Sequence, residues 1–446
     1  MLYAIEIKEG KGNRMFAGFK ALSWFGKKQL RLLILIFLIA LSLRLVYIFL
    51  FGAEITPYDD PWFFLHTAQS ITDGGGYHEV NLLAYRPPLY AYFIAGVFSL
   101  FGRNIDAIRL VQTLLAGAMC MAIFLIGSRF VSLSVGALAS FFCAVYPLMI
   151  HYSVQIWAEQ LFTFLIVLAT LTFLLSLKKS SFMWRGLTGI LLGFSSLTRE
   201  AGLSVLIGFL IWFIVTDRNV WTSLKRWWFM ALFALIVIAP WTIRNYRIFG
   251  SFVPVSTNGG INFYMGNNPE ATGTFRWAVP PGARWNEASP HGFYELQASQ
   301  QGYRCGWQFI REHPGRFALL IAKRVFYLLK PPVWTIDFGE SMAETALKLV
   351  WLVMYIPLFL LALIIGPFFI RSAPKLLPLF FILLFMLVLP YLVTFAATRF
   401  CVPLTPFMAL VAAVVVDATL LRKKFGGSSF DQTVGDIEAG KGLIST

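Results

Sequence analysis

The chain has 446 residues, 58% hydrophobic and 17% aromatic but only 13% charged, with a mean hydropathy of +0.70. Long runs nearly free of charge, such as 32–51 and 350–370, exclude a soluble fold and mark an all-α polytopic membrane protein. The formal charge of +15 does not indicate nucleic acid, because the Lys and Arg residues fall mainly between apolar runs, where membrane topology accounts for them.

The segment 1–31 carries Lys20, Lys27, Lys28 and Arg31 ahead of the first apolar run. No small-residue cleavage site follows that run, so it reads as a retained first helix with a cytoplasmic N-terminus. The first outer loop, 52–106, then lies beyond the plasma (inner) membrane. Spans follow near 107–127, 131–151 and 156–177, and two shorter apolar stretches, 186–197 and 201–215, flank Thr198–Glu200 as a tight helical hairpin. A span near 228–243 leads into an outer region, 244–346, and three C-terminal spans within 347–421 end at Arg422–Lys424, ahead of a polar cytoplasmic tail, 422–446. The chain thus divides into a transmembrane module over 32–243, the outer region and the C-terminal helices. About ten crossings put both ends inside, and every short basic loop falls on one face.

Two stretches outside the spans predict interfacial helices. Residues 82–100 contain "RPPLYAYF", in which prolines stiffen the entry to an aromatic segment, and 317–330, "FALLIAKRVFYLLK", has an apolar face broken by Lys323 and Arg324. "TDGGGY" at 72–77 lacks the Lys-Ser/Thr ending of a phosphate loop and faces a side without nucleotides, so its glycines are read as a sharp turn.

Asp59 and Asp60 stand between Pro57 and Pro61, next to Trp62, Phe63 and Phe64, which predicts a non-helical turn beside the hydrocarbon boundary. Such acids are either a solvated helix cap or a general base acting on a hydroxyl. With water filling the remaining sites the pair is also the one candidate for a divalent metal ion. Arg86, Arg199, Arg244 and Arg399 all adjoin apolar segments near the outer boundary, where each is either a snorkelling anchor or a ligand for phosphate oxygens. Arg399, in "TRFCVPLTP", interrupts the last apolar pair where a lipid headgroup would lie. His151 and His291 have no partner spacing, and Cys120, Cys143, Cys305 and Cys401 suggest neither a zinc site nor a disulfide framework.

The acid pair after the first span and "GGGY…YRPPLYAYF…LFG…IRLVQ" (74–112) resemble the GT-C superfamily of polyprenyl-phosphate-sugar-dependent glycosyltransferases. So do "LTREAGL" (197–203), "APWTIRNYRIFGSFVPVSTNGGINFYMGNNPEATG" (239–273) and "TRFCVPLTP" (398–406). The likeness is to the bacterial branch related to protein O-mannosyltransferases and the lipid A aminoarabinose transferase. It implies sugar transfer, with inversion, from a polyprenyl-phosphate-linked donor to a hydroxyl of a glycolipid, envelope polysaccharide or protein on the extracytoplasmic side. By the same resemblance Asp59 or Asp60 is the base, Asp59 matching the first acid of the Asp-Glu pattern, and Arg399, with Arg244 or Arg86, binds the donor phosphate. Phe400 stands where many relatives have Tyr. The rival reading, a transporter or flippase of a lipid-linked substrate, uses the same apolar cavity and buried charges, but the chain shows no inverted repeat and its acids cluster on one side.

Overall fold

The computed structural model describes residues 26–51, 60–179, 181–217, 219–285, 287, 289–331 and 342–421. Asp59, the tail 422–446 and most of the segment 1–31 lie outside the described residues. Among the described residues the chain is helical with no strand, only isolated bridges between Glu79 and Leu82 and between Thr274 and Ala396.

The helices are α1 (Lys27–Phe51), α2 (Asp60–Thr72), α3 (Leu89–Phe101), α4 (Ile105–Phe130), α5 (Leu133–Val145), α6 (Pro147–Val154), α7 (Ala158–Lys179) and α8 (Phe182–Thr198). They continue with α9 (Gly202–Asp217), α10 (Val220–Phe249), α11 (Asn258–Gly266), α12 (Phe293–Glu312), α13 (Pro314–Leu329), α14 (Met342–Phe359), α15 (Leu376–Val393) and α16 (Thr405–Val416). Among the described residues seven helical stretches are long and apolar enough to cross a membrane, or eight if the bent pair α5–α6 is one span. The two arms of the expected hairpin, α8 and α9, form as helices but are short, at 17 and 16 residues, and make up the difference from the ten or so crossings expected. The span expected at 228–243 extends to 30 residues in α10, because Asn219 caps its start and Gly250, at φ 62°, ends it; Pro240 is accommodated inside.

The break of 56° between α5 and α6 has a visible cause. Pro147 begins α6, so α5 must end at Val145, which leaves its last carbonyls without amide partners. Arg44 of α1, fully buried, donates to the carbonyls of Ala144 (3.0 Å) and Cys143 (3.5 Å), placing a cation at the negative end of α5. The bend carries Tyr152, near the end of α6, to the wall of the cavity described below.

The acid-bearing loop differs from the expected non-helical turn. Asp60 is the first residue of α2, since Pro61 occupies a first-turn position that has no amide to lose, and the carboxylate sits at the positive helix end. The glycines that follow do turn the chain, with Gly74 and Gly76 at φ 84° and 76°. Helix α3 is a short apolar helix packed on α2, α4 and α8, and α13 covers 314–329, matching the two segments predicted from 82–100 and 317–330.

Candidate active site

The loop between α2 and α3 is fixed by acids before it presents its arginine. Glu79 accepts the Tyr77 hydroxyl (3.0 Å) and the Arg86 amide (3.0 Å), and its other oxygen takes the Arg86 guanidinium. From α12, Glu295 accepts the amides of Leu83 (2.6 Å) and Ala84 (3.0 Å) and the Thr257 hydroxyl. Burial raises the Glu295 carboxyl above its usual range, only partly offset by these hydrogen bonds.

Arg244 clamps the same loop. It donates to the carbonyls of Leu83 (2.6 Å) and Tyr77 (2.9 Å), its guanidinium lies 4.5 Å from the Trp241 ring, and it is absent from the cavity wall. The structure thus shows Arg244, expected as a phosphate ligand, holding the first loop away from the cavity wall, with two of its bonds to backbone oxygens and one to Asn245 Oδ1.

Asp60, Arg86 and Arg399 do come together. Asp60 Oδ1 accepts from Arg86 Nε (3.0 Å) and Nη2, and Oδ2 lies 2.9 Å from Arg399 Nη1. Arg399 sits in the 3₁₀ turn Thr398–Leu404 that joins α15 to α16, its guanidinium stacked 4.2 Å from the Trp157 ring. Burial would raise the Asp60 carboxyl, but the Arg86 and Arg399 charges outweigh it and hold the group at about 2. Asp60 is therefore held in its charged form at neutral pH, between two guanidiniums. Its two oxygens already face guanidiniums, an arrangement that does not fit a divalent cation, and the described residues contain no group of three or more metal-type side chains.

Glu159, the second residue of α7, joins the network and was not singled out from the sequence. Its Oε1 is 2.5 Å from Arg199 Nη1 and 3.5 Å from Arg399 Nε, the latter misaligned for a hydrogen bond. Glu159 is fully buried, and both its Oε2 and the Arg399 Nε lack hydrogen-bond partners among the described residues. A lone acid at the edge of an apolar run is the signal that marks it, since an ionisable group there is costly unless used.

These groups line one cavity of about 1020 Å³. Asp60, Arg86, Glu159, Arg199, Glu200, Lys330 and Arg399 form its ionic part, while Ser256, Asn258, Asn262 and Gln300 bring polar side chains from α11, α12 and the loop before α11. Phe400 packs flat on Tyr391, with ring centroids 3.9 Å apart, and Tyr391 also lines the cavity, so a phenol is present although not at position 400. Neither His151 nor His291 is on the wall; His151 pairs with the Tyr47 hydroxyl at 2.8 Å.

Residues 85–243 match the family model of dolichyl-phosphate-mannose-protein mannosyltransferases. Among solved structures, the apo oligosaccharyltransferase of Archaeoglobus fulgidus superposes with a TM-score of 0.54 at 12% identity, over 95% of this chain and 54% of that one. The oligosaccharyltransferase AglB of the same organism, complexed with an inhibitory peptide and a dolichol-phosphate, gives 0.53 at 13% identity, over 93% and 54%. Apo ArnT from Cupriavidus metallidurans gives 0.52 at 15% identity, over 95% and 64%. The chain thus spans about half the length of the oligosaccharyltransferase and under two thirds of ArnT. No curated protein sequence matches it. The fold is shared with these solved structures, in a multi-pass membrane protein.

Proposed function

We propose that the chain is an integral membrane glycosyltransferase of GT-C type, moving a sugar from a polyprenyl-phosphate-linked donor to a hydroxyl of a glycolipid, envelope polysaccharide or protein. The reaction takes place on the extracytoplasmic side of the plasma membrane. The match of 85–243 to the mannosyltransferase family and the folds shared with AglB and ArnT support the reaction class. The observation that carries it here is the Arg399 guanidinium on the wall of a cavity that also holds Arg86 and Arg199. Three guanidiniums gathered on one wall offer charge-assisted hydrogen bonds to the oxygens of a phosphate.

In the step we derive, the acceptor oxygen attacks the anomeric carbon as its proton passes to Asp59, with Asp60 holding the arginines in place. The bond from the anomeric carbon to the phosphate oxygen breaks, inverting the centre, and the electron pair leaves with the polyprenyl phosphate. Arg399, with Arg86 and Arg199 beside it, meets the negative charge gained by that leaving group. Bringing donor and acceptor into one cavity supplies the rest of the rate through orientation.

A flippase would need its charges along a path through the bilayer, whereas the ionic residues here gather at one cavity. Purified protein in detergent separates the two readings, since transfer from a synthetic polyprenyl-phosphate sugar needs no second compartment. Failure to consume any such donor, with the protein folded, overturns the transferase reading.

A further inference from the structure

We propose that Glu200, with Ser256, Asn258, Asn262 and Tyr303, forms a subsite that binds the vicinal hydroxyls of a sugar ring. The proposal rests on the transferase reading above and names what the polar part of the cavity recognises. The turn between α8 and α9 delivers two neighbours to different duties. Arg199 turns to Glu159, while Glu200 turns to the loop before α11, where the Ser256 hydroxyl donates to its Oε1 and lies 3.1 Å from Asn258 Oδ1. Asp60 and Glu159, the other acids on the wall, are each paired with arginine, but Glu200 has no ion pair among the described residues. A half-buried carboxylate with a free oxygen and no ion pair among the described residues is an acceptor in want of donors, and two adjacent ring hydroxyls supply them in a bidentate pair.

The surroundings fit a sugar better than a peptide or a lipid. Asn262 lines the same wall, and its side-chain amide makes no hydrogen bond to a described residue, leaving both donor and acceptor free. Tyr303 of α12 offers an exposed ring beside them, at a distance set by glycines. A Cβ at Gly259 would come within 2.3 Å of the Tyr303 hydroxyl, and one at Gly260 within 1.8 Å of the Ser299 carbonyl oxygen, so α12 can sit this close only on α11 as it stands. One apolar ring face beside carboxylate and amide groups matches a pyranose, which has hydroxyls around its edge and C–H groups on its face.

The test uses the full-length protein in lipid nanodiscs. Saturation-transfer NMR with methyl α-mannopyranoside, methyl β-glucopyranoside and methyl α-rhamnopyranoside should show binding of at least one glycoside, and its fully O-methylated form should not bind. In Glu200→Ala the affinity should fall roughly tenfold or more, from lost hydrogen bonds to a charged group, with Glu200→Gln intermediate. Binding of decaprenyl phosphate, followed by tryptophan fluorescence, should change less than twofold in both variants, which shows that the arginines remain in place. Unchanged glycoside affinity in both variants, equal binding of the O-methylated form, or no glycoside bound by the unmodified protein each overturns the proposal. Glycoside displaced by decaprenyl-phosphate-mannose assigns the subsite to the transferred sugar; glycoside retained assigns it to the acceptor. Because the readout is binding, Glu200-dependent sugar recognition without transfer from any donor would reject the reaction and leave the subsite standing.

Discussion

Arg399 bridges two acids from separate helices: its Nη1 lies 2.9 Å from Asp60 Oδ2 on α2 and its Nε 3.5 Å from Glu159 Oε1 on α7. Each acid keeps a second guanidinium, Arg86 for Asp60 and Arg199 for Glu159, so the carboxylates stay paired if Arg399 is removed. Arg399→Ala should therefore fold, yet weaken polyprenyl phosphate binding by roughly tenfold or more, the scale of a charge-assisted hydrogen bond. Arg399→Lys should recover only part, since a point charge lacks the planar fork. Titration of decaprenyl phosphate against the three proteins checks this, and equal affinities would remove the phosphate role.

Arg244 should behave in the opposite way. Its guanidinium satisfies the carbonyls of Tyr77 and Leu83, so Arg244→Ala should loosen the loop 73–88 at a cost on the order of 1–3 kcal/mol while leaving the affinity for decaprenyl phosphate within about twofold. Limited proteolysis should nick that loop faster in the variant. A phosphate affinity that falls as far as in Arg399→Ala would restore the binding role instead.

Asp60 also sets a pH dependence. Its carboxyl is held at about 2 in the fold, against about 3.9 in an unfolded chain. Its stabilising contribution is therefore fully present above the unfolded value and is lost as pH falls toward the folded one. The difference in melting temperature between the native protein and Asp60→Asn should stay constant from pH 7 to about 5 and shrink between about 4 and 2. A difference that changes around neutrality instead would mean that Asp60 titrates there.

Sidedness is open to a direct check. The cavity draws on α2, the α8–α9 turn and the segments before and within α11 to α13, so these share one end of the bundle. The basic residues Arg129, Arg226 and Lys375 lie at or near the termini of helices that lead away from it, and on the positive-inside rule we expect the cavity to face outside. A cysteine introduced at Glu270, which is exposed, should react with an impermeant maleimide in intact cells. Reaction only after permeabilisation would reverse the orientation.

The span pattern and the candidacy of Asp60, Arg86 and Arg399 were legible in the sequence because each leaves a local trace: a long apolar run, or a charge where such a run is interrupted. The direction of a side chain leaves none. Arg244 and Arg399 look alike as arginines at apolar boundaries, and only the fold shows one turned to backbone carbonyls and the other to the cavity. Glu79 and Glu295 act through loops and helices far apart in the chain, and Glu295 reaches Leu83 across 212 positions, a pairing that no window of sequence contains. The helix beginning at Asp60 was missed because two nearby prolines read as breakers, although a proline in the first turn costs the helix nothing.

The acids of the first loop divide the remaining chemistry. A base must accept a proton, and Asp60, held at about 2 between Arg86 and Arg399, has little affinity for one. We therefore expect Asp59→Asn to lose roughly 10²-fold or more in turnover, the usual range for general base catalysis, with the affinity for donor nearly unchanged. Asp60→Asn removes the charge that holds Arg399 and Arg86, so its loss should be smaller in turnover and larger in donor affinity. Asparagine keeps the size of each side chain, so both variants should insert and fold. The measurement is transfer from a synthetic polyprenyl-phosphate sugar at matched protein levels, fitted for turnover and donor KM separately. If the turnover loss falls on Asp60→Asn and spares Asp59→Asn, the base is Asp60 and the guanidiniums must move away from it when donor binds; if neither variant slows transfer, the acids only cap α2.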